Sequence, residues 1–168
     1  MAAGNTYSQI TGGSVTLGSA ASSVTFSSIP ATYTDLVLIM RYSNASADSA
    51  FLRFNSDSGS NYSTTYLYGN GTTASSTRDS NYSLAYLDIF TSNSSGDTPI
   101  SIVNVMNYAN ATTYKTLLNR NSHTEKGVSA TVSLWRNTAA ITSIYLANGS
   151  GGNFATGSTF NLYGISAA

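Results

Sequence analysis

Apolar and polar residues alternate along much of this chain with a period of two. Val15 and Leu17 are separated by one polar residue, and Val24 and Phe26 repeat the pattern after a turn at residues 18–21. Because successive side chains of a strand point to opposite faces, this alternation predicts β-strands with one buried face. No segment shows the sustained 3.6-residue period of an amphipathic helix, so the sequence predicts an all-β fold.

One run departs from the alternation because it is apolar throughout. Residues 36–40, with the sequence Leu-Val-Leu-Ile-Met, form the longest apolar run of the chain. A short, partly β-branched run that is closed by polar residues is typical of a strand buried on both faces. We therefore expect this run to form the central strand, with neighbouring strands packed around it.

Further extended runs lie between clusters of Gly, Pro, Asn, Asp and Ser, which favour turns. They span residues 14–17, 23–29, 50–55, 61–68, 83–90, 100–106, 114–118, 128–135, 141–146 and 158–165. The turn clusters at residues 56–60 and 91–98 predict two hairpins. Residues 72–81 are polar apart from one alanine, and they are expected to form a long mobile loop.

About ten short strands joined by polar turns describe an antiparallel β-sandwich, either a jelly roll or an immunoglobulin-like form. The strand number and the absence of the immunoglobulin cysteine and tryptophan spacing favour the jelly roll. At 168 residues the chain has the length of one domain, so a single sandwich is expected over residues 1–168. Residues 1–12 are the candidate for an extended N-terminal arm.

Charge is sparse, and this changes the partners to be expected. Charged residues make up 8% of the chain, and seven basic side chains balance seven acidic ones. Because the positive and negative charges balance, the chain lacks a strongly positive electrostatic potential, and we do not expect it to bind nucleic acid or an anionic membrane surface. Few charges suit a permanent packed assembly, because burial then desolvates few ions, and they are equally typical of a sugar-binding surface.

Cysteine and histidine usage excludes most cofactor chemistry. The chain has no cysteine and one histidine, so it can form no disulfide or thiolate site and has too few ligands for most transition-metal sites. We expect no cofactor. The first eight residues lack the basic and apolar regions of a signal peptide, and no run approaches the ~18 apolar residues of a membrane helix. We therefore expect synthesis in the cytoplasm without export, and no membrane partner.

Short motifs spread over nearly the whole chain carry a family resemblance. The motifs are the stretch from Phe26 to Leu36, Leu52-Arg53-Phe54-Asn55, Leu67-Tyr68-Gly69-Asn70-Gly71, Asn107-Tyr108, Tyr114-Lys115, the stretch from Leu134 to Ile144, and Leu162-Tyr163-Gly164-Ile165. With them the chain resembles a family of small virion proteins of tailed phages, many of them from aquatic phages. The motifs are structural in kind, so the resemblance carries over no active site and no named ligand.

The resemblance implies a place in a phage particle. The function it favours is that of a non-enzymatic structural protein, a decoration or cement protein of the capsid, whose partner is the major capsid protein or another virion protein. It also implies self-association as a homotrimer, since linked weak contacts at local symmetry axes add avidity. The alternatives are a tail or tail-fibre module that binds host glycans, and a phage-encoded hydrolase.

Two residue sets have the composition of a hydrolytic site. His123 and Glu125 lie close in sequence to Ser122 and Ser133. A triad, however, needs a base oriented by a third group and an oxyanion hole, and no such arrangement is identifiable. Asp79 and Asp88 provide the two carboxylates that glycoside hydrolysis needs, and isolated surface acids explain them as well. We expect no catalytic residue.

A turn at residues 57–61 has the composition of a calcium loop. Its sequence Asp-Ser-Gly-Ser-Asn offers oxygen ligands at alternate positions. It lacks the clustered carboxylates and the bidentate glutamate that give calcium loops their affinity. An ordinary Asp-Ser-Gly turn is therefore the favoured interpretation, and no metal is expected.

Aromatic residues supply the candidate interface. Tyr62, Tyr66 and Tyr68 share one face of a predicted strand, and Trp135 ends another. Flat amphipathic rings on a rigid sheet can anchor a protein interface or stack on a sugar, although aromatic residues also favour strands for packing alone. These four residues are the predicted contact surface.

The strand that ends at Trp135 shows the most regular alternation of the chain. Its apolar residues Val128, Ala130, Val132 and Leu134 occupy every second position. On this pattern we expect the four side chains to point inward and the intervening serines and threonine to face water.

Overall fold

The computed structural model of the protein describes residues 6–44, 49–90, 98–149 and 151–166. Within these ranges it contains strands and turns but no helix, as the alternation predicts, and so no helical segment able to span a membrane. The strands are β1 (Tyr7–Thr16), β2 (Ser23–Phe26), β3 (Asp35–Arg41), β4 (Ala50–Phe54), β5 (Tyr62–Gly69), β6 (Ala74–Tyr82), β7 (Ala85–Tyr86), β8 (Ile100–Val105), β9 (Lys115–His123), β10 (Gly127–Trp135), β11 (Ile144–Asn148) and β12 (Thr159–Ile165).

The strands form two sheets. The larger has eight strands in the order β1-β12-β3-β8-β9-β10-β5-β6, and the smaller has four in the order β2-β11-β4-β7. Neighbouring strands are antiparallel in both sheets. The fold is therefore an antiparallel β-sandwich of jelly-roll-like form, which confirms the predicted fold class.

The apolar core lies between the smaller sheet and the facing strands of the larger one. β3 is hydrogen-bonded between β12 and β8 and contributes Leu36, Leu38 and Met40 to this core. On the opposite face of β3, Val37 is buried and Ile39 is half-buried. The expectation of a central strand is confirmed, with its second face covered less completely than its first.

Neither predicted hairpin forms. β4 lies in the smaller sheet and β5 in the larger, so the turn at residues 56–60 carries the chain from one sheet to the other. β7 and β8 are divided between the sheets in the same way, and most of the turn predicted at residues 91–98 lies outside the described residues. Turn residues show where a strand ends, but they do not show which sheet the next strand joins.

The loop expected at residues 72–81 is instead the edge strand β6, which pairs with β5 over most of its length. Its side chains are exposed except for the half-buried Asp79. An edge strand gains its backbone hydrogen bonds from one neighbour and needs few apolar side chains, and polar edges discourage further pairing. The apolar pattern therefore gave no signal for it.

The expected N-terminal arm overlaps the first strand. Residues 7–12 belong to β1, which pairs with β12 at the other edge of the larger sheet, while residues 1–5 lie outside the described ranges. At β12, Tyr33 packs so closely on Gly164 that an added Cβ would lie 2.2 Å from the ring. A glycine is therefore required at this point of β12.

The orientation predicted for β10 is wrong. Val128, Ala130 and Val132 are exposed on the outer face of the larger sheet, and Leu134 is half-buried there. The inward face instead carries Ser129, Thr131 and Ser133, together with Trp135, and all four are buried. Trp135 occupies an odd-numbered position and the four aliphatic residues occupy even-numbered ones, so they lie on opposite faces of the strand. Only one face can point inward, and it is the face that carries Trp135.

The reason for the polar inward face is the segment that covers it. Residues 85–90 cross β10 and β5, where the four-stranded sheet ends. This segment is irregular after β7, and its buried backbone groups need hydrogen-bond partners. The carbonyl of Leu87 accepts hydrogen bonds from the side-chain amides of Asn119 and Asn121 on β9. The polar residues of the sheet thus satisfy a buried loop.

Candidate functional site

Three of the four predicted interface residues lie inside the sandwich. Tyr62, Tyr66 and Trp135 are buried, and Tyr68 is half-buried on the same inward face. Trp135 stacks on Tyr62 at 6.3 Å between ring centroids and packs against Phe54 at 5.4 Å. Burial raises the pKa of the Tyr62 and Tyr66 hydroxyls. Buried rings present no surface to a partner, so the structure corrects the prediction for these three and leaves the core as their role.

The turn expected to resemble a calcium loop is an anchor for Trp135. One oxygen of Asp57 accepts hydrogen bonds from the Trp135 indole at 2.7 Å and from the Asn61 amide at 2.9 Å. The other accepts the backbone N–H of Gly59 at 2.8 Å. Burial alone would raise the pKa of Asp57, but these hydrogen bonds outweigh it and hold the pKa below its ordinary value. N–H donors already occupy both oxygens, which favours the turn over a calcium site.

Asp88 and His123 meet in the polar interior of the larger sheet. His123 Nε2 and Asp88 Oδ2 are hydrogen-bonded, and neither side chain is exposed. Asp88 Oδ1 accepts hydrogen bonds from the Ser129 hydroxyl and the Phe90 backbone N–H, each at 3.1 Å. We call Asp88, Asn119, Asn121, His123 and Ser129 the inner polar cluster. It fastens residues 87–90 onto β9 and β10.

The inner polar cluster has the residue types of a triad in the wrong order. In a Ser-His-Asp triad the imidazole lies between the hydroxyl and the carboxylate. Here the carboxylate of Asp88 lies between His123 and Ser129, so the hydroxyl donates to the acid and not to the base. The cluster is also buried, which denies a substrate access. Its arrangement suits structural support.

The serines and the acid proposed with His123 are not brought to it. Ser122 points to the opposite face of β9, and Glu125 is exposed in the turn that follows. Ser133 is hydrogen-bonded to Thr64 at 2.7 Å. Among the described residues, no group of three or more His, Asp or Glu side chains is placed to hold a metal ion.

The two carboxylates considered for glycoside hydrolysis have separate surroundings. Asp79 lies on β6 near the buried Tyr66 hydroxyl. Asp88 is 2% exposed and is held in the inner polar cluster. A pair of catalytic carboxylates must flank a bond of the substrate. A buried Asp88 cannot do so in the described conformation.

The outer face of the larger sheet carries an exposed apolar surface. Five large side chains from β5, β8, β9 and β10 form this outer apolar face, namely Leu67, Ile100, Leu118, Val128 and Val132. Nine large hydrophobic side chains are exposed among the described residues, and the outer apolar face holds more than half of them. Leu67 is 61% exposed and Val128 is 60% exposed. A concentration of this kind marks an interaction surface more often than chance.

A groove runs through the outer apolar face. Its volume is about 500 Å³, and Leu67, Gly69, Ala74, Val128, Ala130 and Arg120 contribute to its walls. Arg120 stands opposite Ala130 of β10 on one side and Ile102 of β8 on the other. A smaller depression lined by Ile100 and Ile102 borders the same arginine. The groove therefore combines apolar walls with one cation.

The sequence contained a signal for this surface. Trp135 and the aliphatic residues of β10 occupy alternate positions, so burying one set exposes the other. Trp135 also pairs with Tyr62 across the β10–β5 ladder, which adds a second large ring to its face. Comparing the total apolar volume on the two faces of both strands would have favoured the aromatic face as the inner one.

The comparisons with known proteins identify no family for the chain. No protein-family model matches the chain, and no curated protein matches its sequence. Among solved structures, the galectin LEC-6 of Caenorhabditis elegans has a TM-score of 0.39 and 11% identity over 92% of this chain and 96% of the galectin. The alginate lyase Aly36B, a mutant in complex with alginate tetrasaccharide, has a TM-score of 0.36 and 8% identity over 92% of this chain and 80% of the lyase. Such likeness supports no statement about activity or ligand.

Proposed function

We propose that this chain is a non-enzymatic structural protein of a tailed-phage particle, a decoration or cement protein of the capsid. The observation that carries the proposal is the outer apolar face, where five large apolar side chains are exposed on one face of the larger sheet. Apolar surface of this kind is stabilised when a partner covers it. The resemblance of the sequence to small virion proteins supplies the setting.

The rest of the molecule supports a structural role. Asp88 and His123, which were considered as catalytic candidates, instead hold residues 87–90 in place. Asp57 does the same for Trp135. These polar side chains therefore have structural contacts within the chain.

Purified particles test the proposal directly. We expect mass spectrometry of gradient-purified virions, encoded by the genome that carries this gene, to find the chain in many copies. Cryo-EM of the same particles should place these copies over the capsid shell. Absence from the particles would overturn the proposal, and confinement to the tail tip would replace it with a tail function.

Self-association is part of the proposal. We propose a homotrimer, because contacts repeated around a symmetry axis add avidity to individually weak interactions. Sedimentation velocity at micromolar concentration is expected to show a trimer, and a monomer at every concentration would contradict this.

A second candidate function is glycan binding by a tail or tail-fibre module. The observation in its favour is a pair of tyrosines on β1 and β12, where Tyr7 is 56% exposed and contacts Tyr163 edge to face at 6.4 Å. Exposed rings can stack on sugars. A glycan array with the wild-type chain and with Tyr7→Ala decides this candidate. Binding that the substitution removes would favour it, and silence of the array would exclude the glycans displayed.

A further inference from the structure

We propose that the groove in the outer apolar face binds an extended segment of a partner protein that presents apolar side chains on either side of one carboxylate. The carboxylate pairs with Arg120, and the apolar side chains cover Leu67 and Val128 on one side and Ile100 on the other. This inference rests on the proposed function, since it names the chemistry of the partner in the particle.

The geometry places the cation at the centre of the apolar surface. Across the strands, Leu67, Ala130, Arg120 and Ile102 follow one another in directly paired positions on β5, β10, β9 and β8. Side chains paired in this way are neighbours on one face of a sheet. A ligand that covers the aliphatic residues on both sides must therefore also cover the guanidinium.

Charge complementarity identifies what the partner must present. Among the described residues no carboxylate pairs with Arg120, which is exposed. The acids of the interior and the turns have other hydrogen-bond partners, Asp57 with Trp135 and Asp88 with His123. Covering an arginine without a counter-charge costs free energy, whereas a carboxylate can form two parallel hydrogen bonds with it. The groove therefore selects a carboxylate over a neutral or basic group.

The same charges disfavour a second copy of this chain as the occupant. The outer face of the larger sheet carries Arg41, Arg78 and Arg120, and its acid Asp35, at the start of β3, already accepts the backbone N–H of Asn107. A two-fold face-to-face pair would bring the arginines of the two copies together, which weakens association. A partner of different sequence avoids that repulsion.

Blocked pentapeptides provide the probe, because every second side chain of an extended chain points to the same face. We expect acetylated and amidated Leu-Ser-Glu-Ser-Leu to shift the NMR signals of Leu67, Val128 and the Arg120 Nε–H in the full chain at millimolar concentration. The matched peptide Leu-Ser-Gln-Ser-Leu should bind about tenfold more weakly, because it lacks the charge-assisted hydrogen bonds. Equal affinity of the two peptides, absence of binding, or shifts confined to another surface would each overturn the inference.

Two arginine variants provide the matched comparison. Arg120→Gln should abolish the preference for the glutamate peptide while the folded spectrum is retained, because Arg120 is exposed. Arg78→Gln removes a cation from the same sheet face, on β6 and outside the groove lining, and should keep the preference. Loss of the preference in both variants would indicate a general effect of positive charge. Self-association that Arg120→Gln abolishes would assign the groove to a second copy.

Particle loading separates this inference from the proposed function. If the glutamate peptide is preferred but the chain is absent from purified virions, the proposed function is wrong and the groove chemistry stands. If Arg120→Gln chains load onto the particle as well as wild type, the capsid function stands and this inference is wrong.

Discussion

Two adjacent residues of β10 test which face of the strand is the inner one. Ser133 is buried and shares a hydrogen bond with Thr64, so Ser133→Ala leaves a buried hydroxyl without its partner. We expect a loss of about 1–3 kcal/mol in the free energy of unfolding. Val132 is 49% exposed, and Val132→Thr should change stability by no more than about 0.5 kcal/mol. Urea denaturation of both variants measures the difference. If Val132 faced the core, the order of the two effects would be reversed.

The Asp57 carboxylate makes a pH-dependent contribution to stability. Its pKa in the folded chain lies below the ordinary value of 3.8, so the folded state favours the charged form. This stabilisation is complete above the ordinary pKa and is lost as the pH falls through the folded pKa. Asp57→Asn should therefore cost about 1–3 kcal/mol near neutral pH, where Trp135 and Gly59 lose a charged acceptor.

The difference in the free energy of unfolding between wild type and Asp57→Asn should become smaller when the pH falls below the ordinary pKa of Asp57, because the wild-type carboxyl then takes up a proton. Urea denaturation over an acidic pH series measures this difference. Glu125→Gln also removes one carboxyl and is the control, since Glu125 is exposed in the β9–β10 turn and its substitution should cost about 0.5 kcal/mol or less near neutral pH. A difference that stays constant through the acidic range would contradict the assignment.

Residue-scale geometry can be inferred from sequence where the physics is local. Asn70 accepts hydrogen bonds from the backbone N–H groups of Thr72 and Thr73, and Asn110 does the same with Thr112 and Thr113. Both are turns set by one Asn side chain and its near neighbours. The burial of Ser129 is different, because it depends on a segment about forty residues away in sequence, as the Ser129–Asp88 hydrogen bond shows.

At the scale of elements, the two faces of β3 should respond differently to charge. Leu38 lies in the core, so Leu38→Asp places an unpaired carboxylate there and should cost several kcal/mol or prevent folding. Ile39 is half-buried on the outer face, and Ile39→Asp should cost less because water reaches the carboxylate. Thermal melts compare the two, with Ser75→Asp on the exposed edge strand β6 as a control expected to melt near wild type. If the two β3 variants lost the same thermal stability, the outer face would be as inaccessible to water as the core, which contradicts this expectation.

The segment after β7 should depend on the Asp88–His123 pair. His123→Ala removes one partner of a buried, hydrogen-bonded pair and should cost about 3–5 kcal/mol. Hydrogen exchange should show faster exchange of the amides in residues 87–90. The double variant with Asp88→Asn should be more stable than His123→Ala alone, because the uncompensated charge is then absent. If the double variant lost as much free energy of unfolding as His123→Ala and Asp88→Asn lose together when measured singly, the two residues would not be coupled.

Long-range pairing explains which elements the sequence predicted and which it did not. The motif residue Asn55 binds the turn before β11, accepting the backbone N–H groups of Thr142 and Ser143 and donating to the Ala140 carbonyl. Lys115 donates to the Thr138 carbonyl, and its burial lowers its pKa. Such contacts fix how strands are joined, yet each links residues far apart in sequence. Periodicity located most of the strands, and it could not assign them to a sheet.

The outer apolar face depends on the whole molecule, which is why the alternation along single strands did not reveal it. The four-stranded sheet covers only part of the eight-stranded one, and residues 85–90 cover the inner face near β10 and β5. A loop needs polar partners, so the polar side of β10 faces inward and its aliphatic side faces water. Tyrosines predicted to meet a partner became core, and valines predicted to be core became surface.

A surface that is not needed for folding can be made polar without loss of stability. The variant Leu67→Ser, Val128→Thr, Val132→Thr changes three exposed side chains of the outer apolar face and leaves the core intact. We expect it to melt within a few degrees of wild type, because exposed substitutions away from special features cost about 0.5 kcal/mol or less each. It should bind much less of a hydrophobic fluorescent dye in the folded state, since the apolar patch is gone. Equal dye binding by the two folded proteins would place the accessible apolar surface elsewhere, and a collapse of the melting temperature would mean that these side chains stabilise the sandwich itself.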